Sequence, residues 1–98
     1  MVLCLVCNTD ATMEVYNFPQ NTIGTFLGGS LTFVGAFPEY EAMLVARETP
    51  GSNEEVNPMS RFLEEEVKGK IVVIRSDSEG EECDLDVQSV QDFLALRV

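Results

Sequence analysis

The stretch GGSLTFVGAFPEYEAMLVARE, residues 28–48, constrains the fold of this chain more than any other stretch. Two apolar runs, Leu31–Ala36 and Ala42–Ala46, flank the short connector Phe37–Tyr40, whose proline favours a turn. Runs of this length that are rich in Val, Phe, Thr and Leu, and are bounded by Gly and Pro, are typical of β-strands. The pattern predicts a hairpin that supplies the densest apolar surface in the chain, on which the flanking segments pack.

Three further segments have strand patterns. Lys70–Arg75, KIVVIR, places four consecutive aliphatic residues between charges, and such a continuous run implies burial on both faces at the centre of a sheet. Val2–Val6 is an apolar run, and Thr12–Phe18 places alternate residues on opposite faces, so this pair predicts a first hairpin. After the turn residues 77–80, Cys83–Leu85 predicts a short returning strand.

Three helix starts are marked by capping residues. Asn21 is the predicted N-cap of a short helix that ends at Gly28-Gly29. Asn57 followed by proline predicts the start of a second short helix over Met59–Glu66. Asp86 is the predicted cap of a last helix with a narrow apolar stripe. The polar segment between the central hairpin and Asn57 is a predicted loop.

The chain length of 98 residues suits one domain, residues 1–98, with a core that needs no metal or disulfide. The elements predict an α+β fold, with a mixed or mainly antiparallel sheet of five or six strands and two or three short helices. No apolar run approaches the roughly 18 residues of a membrane span, and the N-terminal run is too short for a signal sequence. We therefore expect an intracellular, cytoplasmic protein that does not bind membranes.

The most distinctive feature of the composition is its negative charge. There are 17 acidic and 6 basic residues, giving a net charge of −11, and 15 of the acids lie from Glu39 onward. A negative field of this kind repels nucleic acid and membrane surfaces and favours a partner with a basic surface. The alternative interpretation is that the charge only keeps a small protein soluble.

Two acidic blocks are the candidate contacts with a basic protein partner. Together they contain seven residues: Glu64, Glu65, Glu66, Glu79, Glu81, Glu82 and Asp84. The second block lies in an oxygen-rich segment, residues 77–86, which suggests as an alternative a small-molecule or metal-ion-binding module, although the spacing is not that of an EF-hand. Ser76 and Ser78 each have an acid three residues on, a context that acidophilic kinases prefer.

The nucleophiles and metal ligands of the chain are few. Cys4 and Cys7 form a C-x-x-C string, but within a strand positions i and i+3 point to opposite faces, so the two thiols should not meet. Three cysteines and no histidine leave a four-ligand zinc site incomplete, and the absence of histidine removes the commonest general base. We expect free thiols, no metal, no cofactor and no catalytic residues, hence no enzyme.

The order of features from the first helix onward resembles a small family of uncharacterised domains found in bacteria, plasmids, phages and some large DNA viruses. The matching pieces are Leu27-Gly28-Gly29, Met43–Glu48, Val56-Asn57-Pro58, Lys68–Ile74 and Asp84-Leu85. The resemblance covers residues 23–95 and departs in the loop Thr49–Asn53, which is longer and more polar than expected. It implies no activity and no site residues, but it implies a viral or other mobile-element origin.

These observations favour a non-enzymatic accessory protein that binds a basic surface on another protein through its acidic C-terminal half. If that surface is a nucleic-acid site, the protein would act as a DNA mimic. The sequence leaves a homodimer open.

Overall fold

The computed structural model describes residues 1–49, 51 and 53–96. Six strands, two α-helices and two 3₁₀ helices follow one another in this part of the chain. The strands are β1 (Val2–Cys7), β2 (Met13–Phe18), β3 (Leu31–Phe37), β4 (Ala42–Arg47), β5 (Ile71–Ser76) and β6 (Glu82–Cys83). The α-helices are α1 (Ile23–Leu27) and α2 (Val87–Leu96), and the 3₁₀ helices are Pro38–Tyr40 and Pro58–Phe62. The predicted α+β class is confirmed.

The strands form one antiparallel sheet in the order β2-β1-β5-β4-β3, with β6 paired to the end of β5. The central position predicted for the KIVVIR run is confirmed, because β5 lies between β1 and β4 and its residues 71–74 are all buried. The predicted hairpin over residues 28–48 is β3 and β4, but it forms one side of the sheet, with β3 at the edge.

Both faces of the sheet carry an apolar core. The face that packs against α2 and the 3₁₀ helix Pro58–Phe62, called here the α2 face, includes the side chains of Leu5, Leu44 and Val73. The opposite α1 face includes Val6, Phe18 and Val72 and is covered by Ile23 of α1. Successive residues of β1 and β5 contribute to opposite faces, as the side-chain period of two in a strand requires.

The helix predictions need two corrections. The N-cap of α1 is Thr22 and not Asn21, whose φ of 63° places it in a left-handed turn before the helix. The second helix is a 3₁₀ helix that ends at Phe62, well before Glu66, so the acidic run 64–66 lies in the turn that follows it. The predicted glycine end of α1 is confirmed by the left-handed C-cap Gly28.

Asn57 is the one buried polar side chain among the described residues, and it connects three parts of the fold. Its side-chain nitrogen donates hydrogen bonds to the main-chain oxygens of Cys7 and Gly69, both at 2.9 Å. Its side-chain oxygen accepts from the backbone N–H of Met59 at 2.9 Å, which confirms it as the N-cap of the 3₁₀ helix. Both N–H groups of the side-chain amide and its oxygen therefore have hydrogen-bond partners within the core.

The two cysteines of the C-x-x-C string lie on opposite sides of the sheet. Cys7 belongs to the core of the α2 face and Cys4 to that of the α1 face, and both are buried. The prediction from strand geometry is confirmed, and no redox dithiol can form between them. Within the described chain, no helix is long and apolar enough to cross a membrane.

Candidate functional site

The acidic residues of the C-terminal half lie at the surface. From Glu39 onward every carboxylate is exposed except that of Glu82, which is half-buried. In the part of the chain that the structure describes, the single ion pair joins Glu41 to Arg75, with 2.8 Å between their side-chain atoms. The fold therefore leaves almost all of the negative charge unneutralised and facing solvent.

Two basic side chains lie against aromatic rings of the protein's own surface. The guanidinium carbon of Arg61 lies 4.8 Å from the ring centre of Phe62, and Lys70 Nζ lies 5.3 Å from that of Phe26. A cation over an aromatic face is attracted by the ring quadrupole. Both cations lie close to rings of their own chain, and neither forms an ion pair with an acidic side chain in the part of the chain that the structure describes.

The acidic segment after β5 is a tight hairpin turn. Asp77 accepts hydrogen bonds through its side chain from the backbone N–H groups of Glu79 and Glu81, and Gly80 takes the left-handed conformation with φ of 82°. Asp at the first turn position and Gly at the fourth are what such a turn requires. The backbone of this turn thus explains the D-S-E-G residues, and the turn places Glu79 and Glu81 in solvent.

Two of the seven candidate residues have partners within the chain. Glu82 accepts a hydrogen bond from the backbone N–H of Asn21 at 3.0 Å, and Asp84 accepts one from the backbone N–H of Leu3 at 2.8 Å. Both carboxylates satisfy main-chain donors, one at the start of β1 and the other just before α1. Reversing their charge would disturb the fold, contrary to the expectation that the whole second block is free surface.

The segment 77–86 gives the ion-binding alternative little support. Asp86 caps α2, as predicted: it accepts from the backbone N–H of Ser89 at 3.2 Å and from its hydroxyl at 2.7 Å, which lowers the pKa of the Asp86 carboxyl. With Asp77, Glu82 and Asp84 also engaged, four of the carboxylates already have donors. Within residues 1–49, 51 and 53–96, no group of three or more acidic or cysteine side chains is placed to hold a metal ion.

A groove of about 630 Å³ runs beside the edge strand β3. One wall is β3 itself, over residues 32–36, and the other wall consists of Phe62, Leu63, Glu64, Glu65 and Val67. The first acidic block thus lies along an open sheet edge, whereas Glu79 and Glu81 are on the β5–β6 hairpin. The sequence predicted both β3 and the acidic run, but it held no signal that would place them side by side.

The two walls of this groove are in close contact at Gly35 of β3, which packs against Leu63. Gly35 lies at a β-bulge in β3, and a Cβ atom there would overlap the side chain of Leu63. Leu63 and Val67 also pack on the core of the α2 face, so the segment that carries the glutamates is anchored at both ends. The position of Glu64 and Glu65 is therefore fixed by apolar contacts on either side of them.

A second, smaller cavity of about 210 Å³ lies near the end of β1. Its lining includes Cys7, Met13 and Met59, together with the half-buried Asn8. The side-chain oxygen of Asn8 has no hydrogen-bond partner among the described residues, while its nitrogen donates to Thr12 and Glu14. This cavity is mainly apolar and lies apart from the acidic blocks.

One comparison with known proteins gives a match. The sequence profile described as "Family of unknown function (DUF5880)" matches residues 5–93. No curated protein and no solved structure gives a significant match to the chain.

Proposed function

Because this chain belongs to DUF5880, a family of unknown function, we propose a function from its surface alone: it is a non-enzymatic accessory protein that binds a basic surface on another protein. The observation that carries the proposal is the exposure of the acidic residues from Glu39 onward, with only Glu41 in an ion pair within the described chain. An unneutralised field of this strength steers cationic partners and repels nucleic acid. Glu64–Glu66, Glu79 and Glu81 are the contact residues that the geometry supports best.

Two observations support a binding role over catalysis. The chain contains no histidine. The thiols of Cys4 and Cys7 are poor nucleophiles, because burial raises the pKa of each to about 12 and keeps it protonated. An intracellular location and a viral or mobile-element origin are parts of the same proposal, and they rest on the sequence patterns and the resemblance described above.

Charge reversal tests this proposal. A partner recovered from cell lysate on the wild-type protein would be measured against two variants, Glu64→Lys/Glu65→Lys/Glu66→Lys and Glu79→Lys/Glu81→Lys. Exposed charges act mainly on the encounter, so association should slow more than dissociation accelerates. The effect should shrink at high salt, where the Debye length falls well below its physiological value of about 8 Å.

A matched control distinguishes direct contact by the two acidic blocks from the effect of the overall negative charge. Glu39→Lys/Glu48→Lys changes the net charge as much as the hairpin variant does, at exposed positions outside both blocks. We expect it to slow association less than either block variant. Binding that is independent of salt, or unchanged when both blocks are reversed, would show that the acidic residues serve solubility only.

A further inference from the structure

The strand β3 is one of the two edges of the sheet. It ends the sheet order, and among the described residues no strand pairs with its outer side. Residues 30–37, SLTFVGAF, contain no charged residue and no proline, two of the usual means of blocking an edge, and the β-bulge, a third, lies only after Phe33. The other edge strand, β2, carries the exposed polar residues Glu14 and Asn17. The two edges of one sheet therefore differ in their capacity to accept a further strand.

The hydrogen-bond register shows which groups of β3 face outward. Ser30 accepts a hydrogen bond from the backbone N–H of Glu48 at 2.8 Å, immediately before the paired residues of β3 and β4. In an antiparallel pair, bonded and non-bonded positions alternate, so Thr32 turns its backbone groups toward β4. The N–H and C=O groups of Leu31 and Phe33 then point to the free side. The bulge after Phe33 ends this regular stretch.

The two sides of this edge differ in chemistry. On the α2 face, the groove wall carries Glu64 and Glu65, both exposed. On the α1 face lies Phe33, which pairs with Val45 and leaves 61% of its surface exposed. Since side chains of an added strand would alternate between the same two faces, one face offers them carboxylates and the other an aromatic ring.

We propose that β3 is the docking edge for an extended segment of a partner protein in which basic and apolar residues alternate. The segment pairs through its backbone with Leu31 and Phe33. Its basic residues face Glu64 and Glu65 in the groove, and its apolar residues cover Phe33. This mode of strand addition obtains affinity from main-chain hydrogen bonds and specificity from alternate side chains. The inference deepens the proposed function and rests on it.

Charge repulsion disfavours the binding of a second copy of this chain at the β3 edge. Pairing β3 with β3 of another molecule would bring two chains of net charge −11 together, with Glu64 and Glu65 of each beside the same edge. Like charges so placed repel one another. The exposed glutamates therefore discriminate against self-association while attracting a cationic strand.

Two synthetic peptides of one composition provide the probe. In the first, Lys alternates with Val and Thr; in the second, the same residues are ordered so that all lysines are adjacent. We expect the alternating peptide to bind at least about tenfold more tightly, because only it can present lysines to one face while pairing with the edge. Binding should also protect the amides of Leu31 and Phe33 from hydrogen exchange.

Substitutions at the edge separate backbone pairing from side-chain contact. Phe33→Pro removes an outward N–H without breaking the β3–β4 ladder, whereas Phe33→Ala removes only the ring. Phe33→Pro should therefore weaken binding of the alternating peptide roughly tenfold or more beyond the loss that Phe33→Ala causes. Glu64→Lys/Glu65→Lys should weaken it more than Glu79→Lys/Glu81→Lys does. Circular dichroism of every variant before titration establishes that each retains its fold.

The outcomes distinguish this inference from the proposed function. Equal binding of both peptides, with Phe33→Pro equal to Phe33→Ala and charge reversal still harmful, would overturn the edge site while leaving the attraction for basic surfaces intact. Failure of both peptides to bind, together with a lysate partner insensitive to charge reversal, would overturn both. A wild-type dimer that Phe33→Pro dissociates would assign the edge to a second copy and overturn the inference.

Discussion

The side chain of Asn57 donates a hydrogen bond of 2.9 Å to the main-chain oxygen of Cys7, a residue 50 positions earlier in the chain. A second bond from the same nitrogen reaches Gly69, just before β5. One buried amide thus holds together the end of β1, the start of β5 and the segment that leads to the β3 groove. Such a fully satisfied buried polar group specifies how these elements meet.

We expect Asn57→Ala to lower the free energy of unfolding by about 2–4 kcal/mol, because it removes from the core the donor to two main-chain oxygens and the acceptor of the Met59 N–H. Asn57→Asp should be comparably harmful, since a carboxylate cannot donate to the oxygens of Cys7 and Gly69. Urea denaturation measures both changes. Asn17→Ala, at an exposed position of β2, is the matched control and should cost little. Equal midpoints for Asn57→Ala and Asn17→Ala would contradict the role given to this amide.

Val73 lies at the centre of the sheet and is fully buried on the α2 face. Val73→Ala should lower the free energy of unfolding by about 1–3 kcal/mol through lost burial and the cavity left behind. Ser78→Ala, in the exposed β5–β6 turn, should be nearly neutral. Denaturant midpoints that rank these two variants in the opposite order would refute the assignment of β5 as the core strand.

The three thiols should differ in reactivity. Cys4 and Cys7 are buried and their pKa values are raised to about 12, whereas Cys83 is partly exposed. Alkylation at neutral pH should therefore label Cys83 first and reach the other two only in denaturant. Peptide mapping by mass spectrometry locates the labels, and Cys83→Ser should abolish the fast phase. Stoichiometric zinc in protein purified without chelator would disprove the expectation that all three thiols are free of metal.

Stability should fall at alkaline pH. The pKa of each buried thiol is raised from 9.0 to about 12, Cys4 by burial and then by the nearby charges of Glu82 and Asp84, and Cys7 by burial. Between these values the unfolded chain binds fewer protons than the folded one, so the free energy of unfolding decreases as pH rises above 9.0. The slope should reach about 1.4 kcal/mol per pH unit for each thiol. In Cys4→Ala/Cys7→Ala, the free energy of unfolding obtained from denaturation curves should depend less on pH across this range. An unchanged pH dependence in that variant would assign the loss of stability to other titrating groups.

Gly35→Ala should disturb the groove. The added methyl group overlaps Cδ2 of Leu63, so this side chain must leave its rotamer or its segment must shift, at a cost of about 1–3 kcal/mol in stability. Gly29→Ala is the matched control, since a methyl group there meets the side chain of Arg47 at ordinary contact distances. Thermal denaturation compares the two. Equal stability of both variants would show that Leu63 does not pin the groove wall to β3.

Local patterns were enough to predict much of this structure. The run of aliphatic residues in β5 predicted a strand buried on both faces, and the period of two in β1 placed Cys4 and Cys7 on opposite sides of the sheet. The sequence predicts the D-S-E-G turn, but it does not predict the hydrogen bonds that Asp77 accepts there from the backbone N–H groups of Glu79 and Glu81. Binary pattern and turn chemistry act between near neighbours, so the sequence displays them directly.

Capping and helix length were predicted less well. The sequence predicts Asn21 as an N-cap, yet Asn21 precedes the helix in a left-handed turn. The sequence predicts a helix over Met59–Glu66, yet Leu63 leaves the helix to pack against Gly35. In both cases a contact with another element overrides a weak local preference.

Sequence patterns were sufficient to identify the strand-forming residues, their apolar faces and the strongly negative charge of the second half. The three-dimensional arrangement was needed to show that β3 is an edge, that Glu64 and Glu65 lie along it, and that Glu82 and Asp84 accept hydrogen bonds from backbone donors. Strand order and groove walls depend on pairings between residues far apart in the chain. Those pairings are selected by the packing of the whole core, which no local periodicity encodes.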